Sequence, residues 1–360
     1  MPNVDAGELT PYVTSIFEAL GAPTADADNV ASHLVDANLK GHDSHGVIRV
    51  TQYVQRTQEG RYVAGTTPEI EQDTPATTVV NGNWNYGQVV ARFTMDTAIA
   101  KAREQGISVA VAHRGGHAGR IGAYGEQAAE AGMVTIACVN LHGGGQLVAP
   151  FGGGRRRLGT NPIVFAAPTS NPDEPFVLDM ATSVGAEGKV RVARNRGTEL
   201  EPGWIIDGDG RPSTDPLDLY GGDPPFSRQA GALLPVGGPV GYKGFGLSMA
   251  VEFLAGALLP TVATRPDDEV GGNALFMTVI DPEHFAGRGP FEESISNLIA
   301  MVKEPPFAEG FDEVMTAGEP ERRRKAERLA NGIDIEDSTW QQLCAAGVEV
   351  GAGPYEGAVR

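Results

Sequence analysis

Seven histidines occur in the 360 residues. Three of them, His45, His117 and His142, fall in glycine-rich segments at the ends of expected secondary elements. Loops on a rigid scaffold are where reactive groups tend to sit. His45 follows Asp43 and Ser44 and precedes Arg49 by about one helical turn. An imidazole titrating near neutrality can give a proton to a developing alkoxide. A guanidinium one turn away can hold a carboxylate through two parallel hydrogen bonds. That pair suits a 2-oxo acid, clamped at one end and reduced at the other. The same residues have a plainer reading, in which His42, Asp43 and Ser44 cap helices and His45 lies on the surface. Spacing alone leaves both open.

Other constellations are weaker. His42 with His45, or His113 with His117, has the spacing of a ligand pair on a helix. No third ligand is evident nearby and both segments contain glycine, so no metal centre is expected. The stretch FGGGRRRLGTNP sets three glycines beside Arg155, Arg156 and Arg157. It reads as a phosphate grip of amides and guanidiniums or as a solvated turn. The chain has no GxGxxG after a strand, no GxxxxGK[ST], no HExxH and no CxxC, which speaks against Rossmann and P-loop folds. A GxSxG elbow is also missing.

These groups need elements to hold them. A helix is expected from Thr24 or Asp26 to about Lys40, with Val30, Leu34 and Ala37 on one face and Gly41 after it. Further helices are expected near Val47–Thr57, over Gly87–Gln105 and over Gly119–Gly132. ISVAVA at 107–112 and VTIACVN at 134–140 read as strands. PIVFAAP and PFVLDMATS are shorter strand candidates, and residues 195–240 read as extended loops. Gly244–Leu258 is apolar all round, which predicts a buried helix. Ala274–Ile280 reads as a strand. Pro320–Asn331 reads as a charged helix with Gly332 just past its end.

Composition bounds the rest. At 41% hydrophobic and 21% charged residues, the chain is an ordinary globular one. The formal net charge is −18, so neither nucleic acid nor an anionic membrane is an expected partner. Two cysteines, Cys138 and Cys344, imply no disulfide framework and fit a reducing compartment. No signal peptide or apolar span is seen, so a cytoplasmic location is expected.

Several segments, in order, resemble the type 2 malate/L-lactate dehydrogenase family. They are GHDSHGVIRV at 41–50, VAPFGG and LGTNPIVFAAP between 148 and 168, and VLDMATSVGAEGKV at 177–190. PGWIIDGDGRPSTDP at 202–216, GYKGFGLSMAVEFLAGAL at 241–258, GGNALFMTVIDPEHF at 271–285 and AGEPERRRKAERLANGI at 317–333 follow. The resemblance implies a mixed, non-Rossmann α/β fold. Its cofactor domain would be a mostly antiparallel sheet flanked by helices, beside a helical domain built from N- and C-terminal segments. It also implies NAD or NADP as cofactor, a small carboxylic acid as substrate and a homodimer. The expected divisions are 1–75 for the helical part, 76–260 for the cofactor region, and 261–360 for a remaining strand and returning helices.

By the same resemblance, His45 and His117 lie at the reacting carbon, either one serving as proton donor or acceptor. Ser44, Arg49 and Tyr53 line the substrate pocket, with Arg49 on the carboxylate. Asn140, Asn161, Pro162, Asp179, Met180, Ala181, Thr182, Ser183, Lys243, Gly318 and Glu319 match cofactor contacts. Two departures bear on the substrate. The family's SNHFG-like loop reads Gly115-Gly116-His117-Ala118-Gly119 here, which implies a wider pocket. Leu141 and His142 stand where the family has a small polar residue, and His142 is a candidate substrate contact or a solvent-facing residue. A cyclic imine next to a carboxylate is therefore an alternative substrate. A non-redox ligand-binding homologue is a second alternative.

Overall fold

The computed structural model describes residues 1–142, 145–222, 229–259, 264 and 271–359; the side chains of His142 and Asn195 lie outside that description. Local sequence rules account for most elements. The first long helix runs Thr24–Leu39 and packs on Ala6–Ala19, which Asp5 caps through the Gly7 N–H. The helix expected near Val47–Thr57 is a 3-10 turn, Val47–Arg49, leading into Val50–Gln58. Gly87–Gln105 is a helix with the expected bounds. The helix expected over Gly119–Gly132 is shorter, Gly122–Glu130. The charged helix is Glu319–Asn331, ended by Gly332.

The main sheet has seven strands. Its order is Glu69–Asp73, Thr77–Asn81, Ile107–Gly115, Gly272–Ile280, Val134–His142, Ile163–Ala167 and Phe176–Met180. Glu69–Asp73 pairs antiparallel with Thr77–Asn81, which pairs parallel with Ile107–Gly115. The sheet is thus mixed, with helices at its flanks, and the α/β class expected from the sequence is the one found.

Two compact units make up the chain. The first comprises Met1–Ile136, Val164–Leu178 and Met277–Arg360. Its helical core joins Leu9, Ile16, Phe17, Leu34 and Tyr53 to Ile333 and Leu343. Each such side chain contributes about 1.5–3 kcal/mol on burial. Asn3 and Val4 pair antiparallel with Asp334 and Ile333, so N- and C-terminal segments share one core.

The second unit comprises Ala137–Ile163 and Asp179–Phe276. Its core is Val148, Leu158, Val190, Leu200, Ile205, Leu219 and Leu233. Residues 195–240 are not only extended loop. They hold a three-stranded ladder, Ala232–Leu233, Ile205–Ile206 and Pro212–Ser213, and a helical turn, Pro216–Tyr220, capped by Asp215. The apolar stretch near 244–258 corrects the sequence expectation. It is a helix, Tyr242–Val251, continued by a π-helical turn, Glu252–Ala257. Ser248, Val251, Glu252 and Ala255 are buried, but Leu247, Phe253 and Leu258 are 45, 58 and 58% exposed. Apolarity on every side predicts burial only if the same chain can cover every side. Among the described residues no helix is long and apolar enough to cross a membrane.

Candidate active site

Five of the residues singled out from sequence meet in the first unit. Asp43–His45 and Val47–Arg49 are consecutive 3-10 turns that lead into Val50–Gln58. This geometry brings Ser44, His45, Arg49 and Tyr53 to one place within a dozen residues. Asn38 fixes the first turn: its Nδ2 donates to Asp43 Oδ1 at 2.7 Å and its Oδ1 accepts the Val47 N–H at 2.8 Å. Arg328 clamps the same turn through Asn38 O and both oxygens of Asp43.

Arg49 Nε donates to Ser44 O at 2.7 Å, and Nη1 donates to Gln52 Oε1 at 3.0 Å. The guanidinium is therefore oriented before any ligand arrives. Ser44 Oγ lies 3.0 Å from His45 Nδ1. The His45 and His117 rings stack at 5.6 Å between centroids, 22° from parallel. Tyr53 Oη lies 2.7 Å from His117 Nδ1 and 3.2 Å from His117 O. Ser44, His45, Arg49 and His117 are each half-buried, so a small molecule can reach them, while Tyr53 is buried.

His117 sits on a loop whose backbone is tied down by side chains. Its N–H donates to Tyr62 Oη at 2.9 Å. Tyr124 Oη donates to Ala118 O at 2.7 Å, and the Arg120 N–H donates to His33 Nε2 at 2.9 Å. Gly119 has φ +73, and a Cβ there would lie 2.3 Å from His33 Nε2. Only glycine meets both demands. Sequence reasoning missed Tyr62, His33 and Tyr124, because no spacing rule links them to the His117 loop.

The electrostatics keep both imidazoles neutral. Burial, then the charge of Arg49, holds His45 down to about 3. The same causes, with His45 added, hold His117 well below the usual imidazole range. Burial pushes the Tyr53 phenol up, so its proton stays on. His33 is held down to about 3 by burial and Arg120.

The expected cofactor contacts form other groups. In the second unit Asn140, Asn161 and Thr182 gather around a residue the sequence did not flag, Glu252. Asn140 Nδ2 donates to Glu252 Oε2 at 3.1 Å, and Asn161 Nδ2 donates to Oε1 at 2.8 Å. Thr182 Oγ donates to Asn161 O at 2.9 Å. Asn161 holds a left-handed φ of 40, and its buried Oδ1 has no hydrogen-bond donor among the described residues. Pro162 O accepts the Val139 N–H. Asp179 and Met180 end a strand, and Ala181 and Ser183 flank Thr182, with Ser183 Oγ donating to Gly185 O. Lys243 is exposed in the first turn of Tyr242–Val251. In the first unit Gly318 caps the helix that Glu319 begins. Glu319 is held by Lys303 at 2.6 Å and Thr316 at 2.6 Å, beside a cavity of about 770 Å³.

The remaining candidates have other partners. His42 faces Glu321 at 3.4 Å and His113 faces Glu71 at 2.8 Å. Arg156 donates to Gly231 O and Leu219 O. Arg155 and Arg157 line a cavity of about 450 Å³ with Gly153, Gly154 and Gly208. His142 ends the strand Val134–His142; its side chain lies outside the described residues.

Similarity to known proteins bears on this arrangement. The family model for malate/L-lactate dehydrogenase matches residues 4–344. A malate dehydrogenase of Pyrococcus horikoshii is 36% identical over 97% of this chain and 96% of its own. A solved putative malate/lactate dehydrogenase from E. coli superposes with a TM-score of 0.89 at 32% identity, covering 97% of this chain and 95% of that one. A delta1-piperideine-2-carboxylate reductase from Pseudomonas syringae superposes with a TM-score of 0.78 at 28% identity, covering 96% of this chain and 100% of that one. The family match spans nearly the whole sequence and the likenesses are global, so the chain belongs to the malate/L-lactate dehydrogenase family of oxidoreductases.

Proposed function

We propose that this protein interconverts a 2-oxo acid and the matching 2-hydroxy acid with NAD or NADP as partner. The observation that carries the reading is the meeting of Arg49 with the stacked pair His45 and His117. Arg49 takes the carboxylate in its pre-aligned fork. The two imidazoles lie beside the neighbouring carbon's oxygen, one stabilising its charge and one exchanging its proton. Tyr53 and Ser44 hold the rings in place, and His142 is a further candidate substrate contact.

The residues of the second unit fit a pyridine nucleotide. The unsatisfied Asn161 Oδ1 suits an amide donor, and exposed Lys243 suits a phosphate or ribose oxygen. Asn140, Pro162 and the 179–183 segment are the other proposed contacts there, and the Gly318-Glu319 turn of the first unit is a separate candidate. When bound, the nucleotide supplies or accepts the hydride. The exposed apolar side chains of Leu247, Phe253 and Leu258 support a homodimer.

The test combines binding and turnover. NADH and NADPH are titrated by fluorescence, and a panel of 2-oxo acids is assayed with the tighter one. His45→Ala and His117→Ala are each expected to lower kcat by about 10²–10⁴-fold with nucleotide affinity nearly unchanged. Equal losses in both quantities sink the assignment. The piperideine-carboxylate reductase likeness gives an imine substrate a specific basis. Turnover of Δ1-piperideine-2-carboxylate above every 2-oxo acid would move the reading to that chemistry.

A further inference from the structure

Gln88, the second residue of the helix Gly87–Gln105, is fully buried and donates through Nε2 to Tyr53 Oη at 2.9 Å. With that donor in place, the phenol hydrogen is left for His117. Two acceptors await it there, Nδ1 at 2.7 Å and the main-chain oxygen at 3.2 Å. A main-chain oxygen can only accept, so its approach marks Tyr53 as the donor. Turning the Gln88 amide over would reverse the chain. The phenol hydrogen would then leave for Gln88, and Tyr53 Oη and His117 O would face each other with no hydrogen between them. Two amide N–H groups would also be stranded, where the present orientation strands one N–H and the Gln88 Oε1. Buried orphan N–H groups are rarer than under-satisfied carbonyls.

We propose that Gln88 is a positioning residue that fixes the tautomer of His117: acting through Tyr53, it keeps Nδ1 an acceptor and places the proton of the neutral ring on Nε2. The loop that presents the ring is itself held in place, because Tyr62, Tyr124 and His33 bind its backbone on either side of His117. The inference rests on the reading of His117 as a reacting-site group and divides the labour within it. A neutral His117 offers Nε2–H as a hydrogen-bond donor to the substrate oxygen. Its one lone pair is taken by Tyr53, so it is not the base. Oxidising a hydroxy acid frees one hydroxyl proton, and that proton goes to the lone pair of His45.

The test reads the tautomer directly. Long-range proton–nitrogen NMR on protein labelled with ¹⁵N-histidine, with His117 assigned by loss of its signals in His117→Asn, is recorded near pH 7 without ligand. The expected pattern is an unprotonated Nδ1 and a protonated Nε2. In Gln88→Leu and in Tyr53→Phe the pure pattern is expected to give way to a mixture. In Gln88→Leu, kcat for hydroxy-acid oxidation is expected to fall about 10-fold, with the KM for the acid within about threefold. A wild-type ring protonated on Nδ1 overturns the inference, as does an unchanged pure pattern in Gln88→Leu. If Gln88→Leu does not fold, the wild-type spectrum and Tyr53→Phe decide on their own. If the tautomer behaves as stated while no acid is turned over, the inference stands and the proposed activity fails.

Discussion

Arg49 acts at the residue scale in two ways. Its Nε and Nη1 are already committed to Ser44 and Gln52, and its charge helps to discharge both imidazoles. Lysine keeps the charge and loses the fork. Arg49→Lys is therefore expected to raise the KM for the acid about 10-fold and change kcat less, as measured by steady-state kinetics. The depressed His45 also sets a pH dependence. A base held down to about 3 by burial and Arg49 is already unprotonated at pH 6. The kcat/KM for hydroxy-acid oxidation is then expected to be flat from pH 6 to 8. An acid limb near 6.5 would show an ordinary imidazole instead. His45 and Arg49 were legible as a pair because they are neighbours in sequence and one short helical stretch carries them, while Ser44 and Tyr53 came from the family resemblance. Gln88 and Tyr62 were not legible, since only the folded chain brings Gln88 to Tyr53 and Tyr62 to His117.

Among elements, the start of the helix Gly87–Gln105 matters most to the site. A Cβ on Gly87 would lie 2.3 Å from Gly116 O and 2.4 Å from His117 C and O. The helix and the histidine loop are in backbone contact, and a methyl group would push them apart. Gly87→Ala is expected to lower kcat on the order of 100-fold, because small displacements of reacting groups are costly. Far-UV circular dichroism run beside the kinetics should show the helices retained. The helix itself was readable to the residue from its amphipathic spacing. Its role as a wall behind His117 was not, since periodicity reports a buried face and not what the face meets. Tyr242–Val251 shows the opposite failure, with composition giving the helix and misjudging its exposure.

For the molecule as a whole, depressed histidines mean sensitivity to acid. His33, His45 and His117 all have folded values below the 6.5 of the unfolded chain. Each contributes stability that is complete above pH 6.5 and is lost as pH falls below it, toward about 3 for His33 and His45. Asp36 acts in the same sense at lower pH. Burial would raise it, but Lys40 and Lys325 outweigh burial and hold it well below the carboxylate range. Calorimetry is expected to show Tm falling between pH 7 and 5, with unfolding taking up roughly two or more protons. A Tm independent of pH over that interval would count against neutral histidines in the fold.

The core that carries His45 and His117 closes only when Asn3 meets Asp334, 331 positions apart, and Phe17 shares a cluster with Leu343. During synthesis the ribosome releases His45 and His117 long before it releases the strand and helix that complete this core. Until then Leu9, Ile16 and Leu34 must wait without their partners, and such exposed surface is what chaperones hold. A stalled or clipped message would thus yield a chain that holds His45, Arg49 and His117 without the core that brings them together.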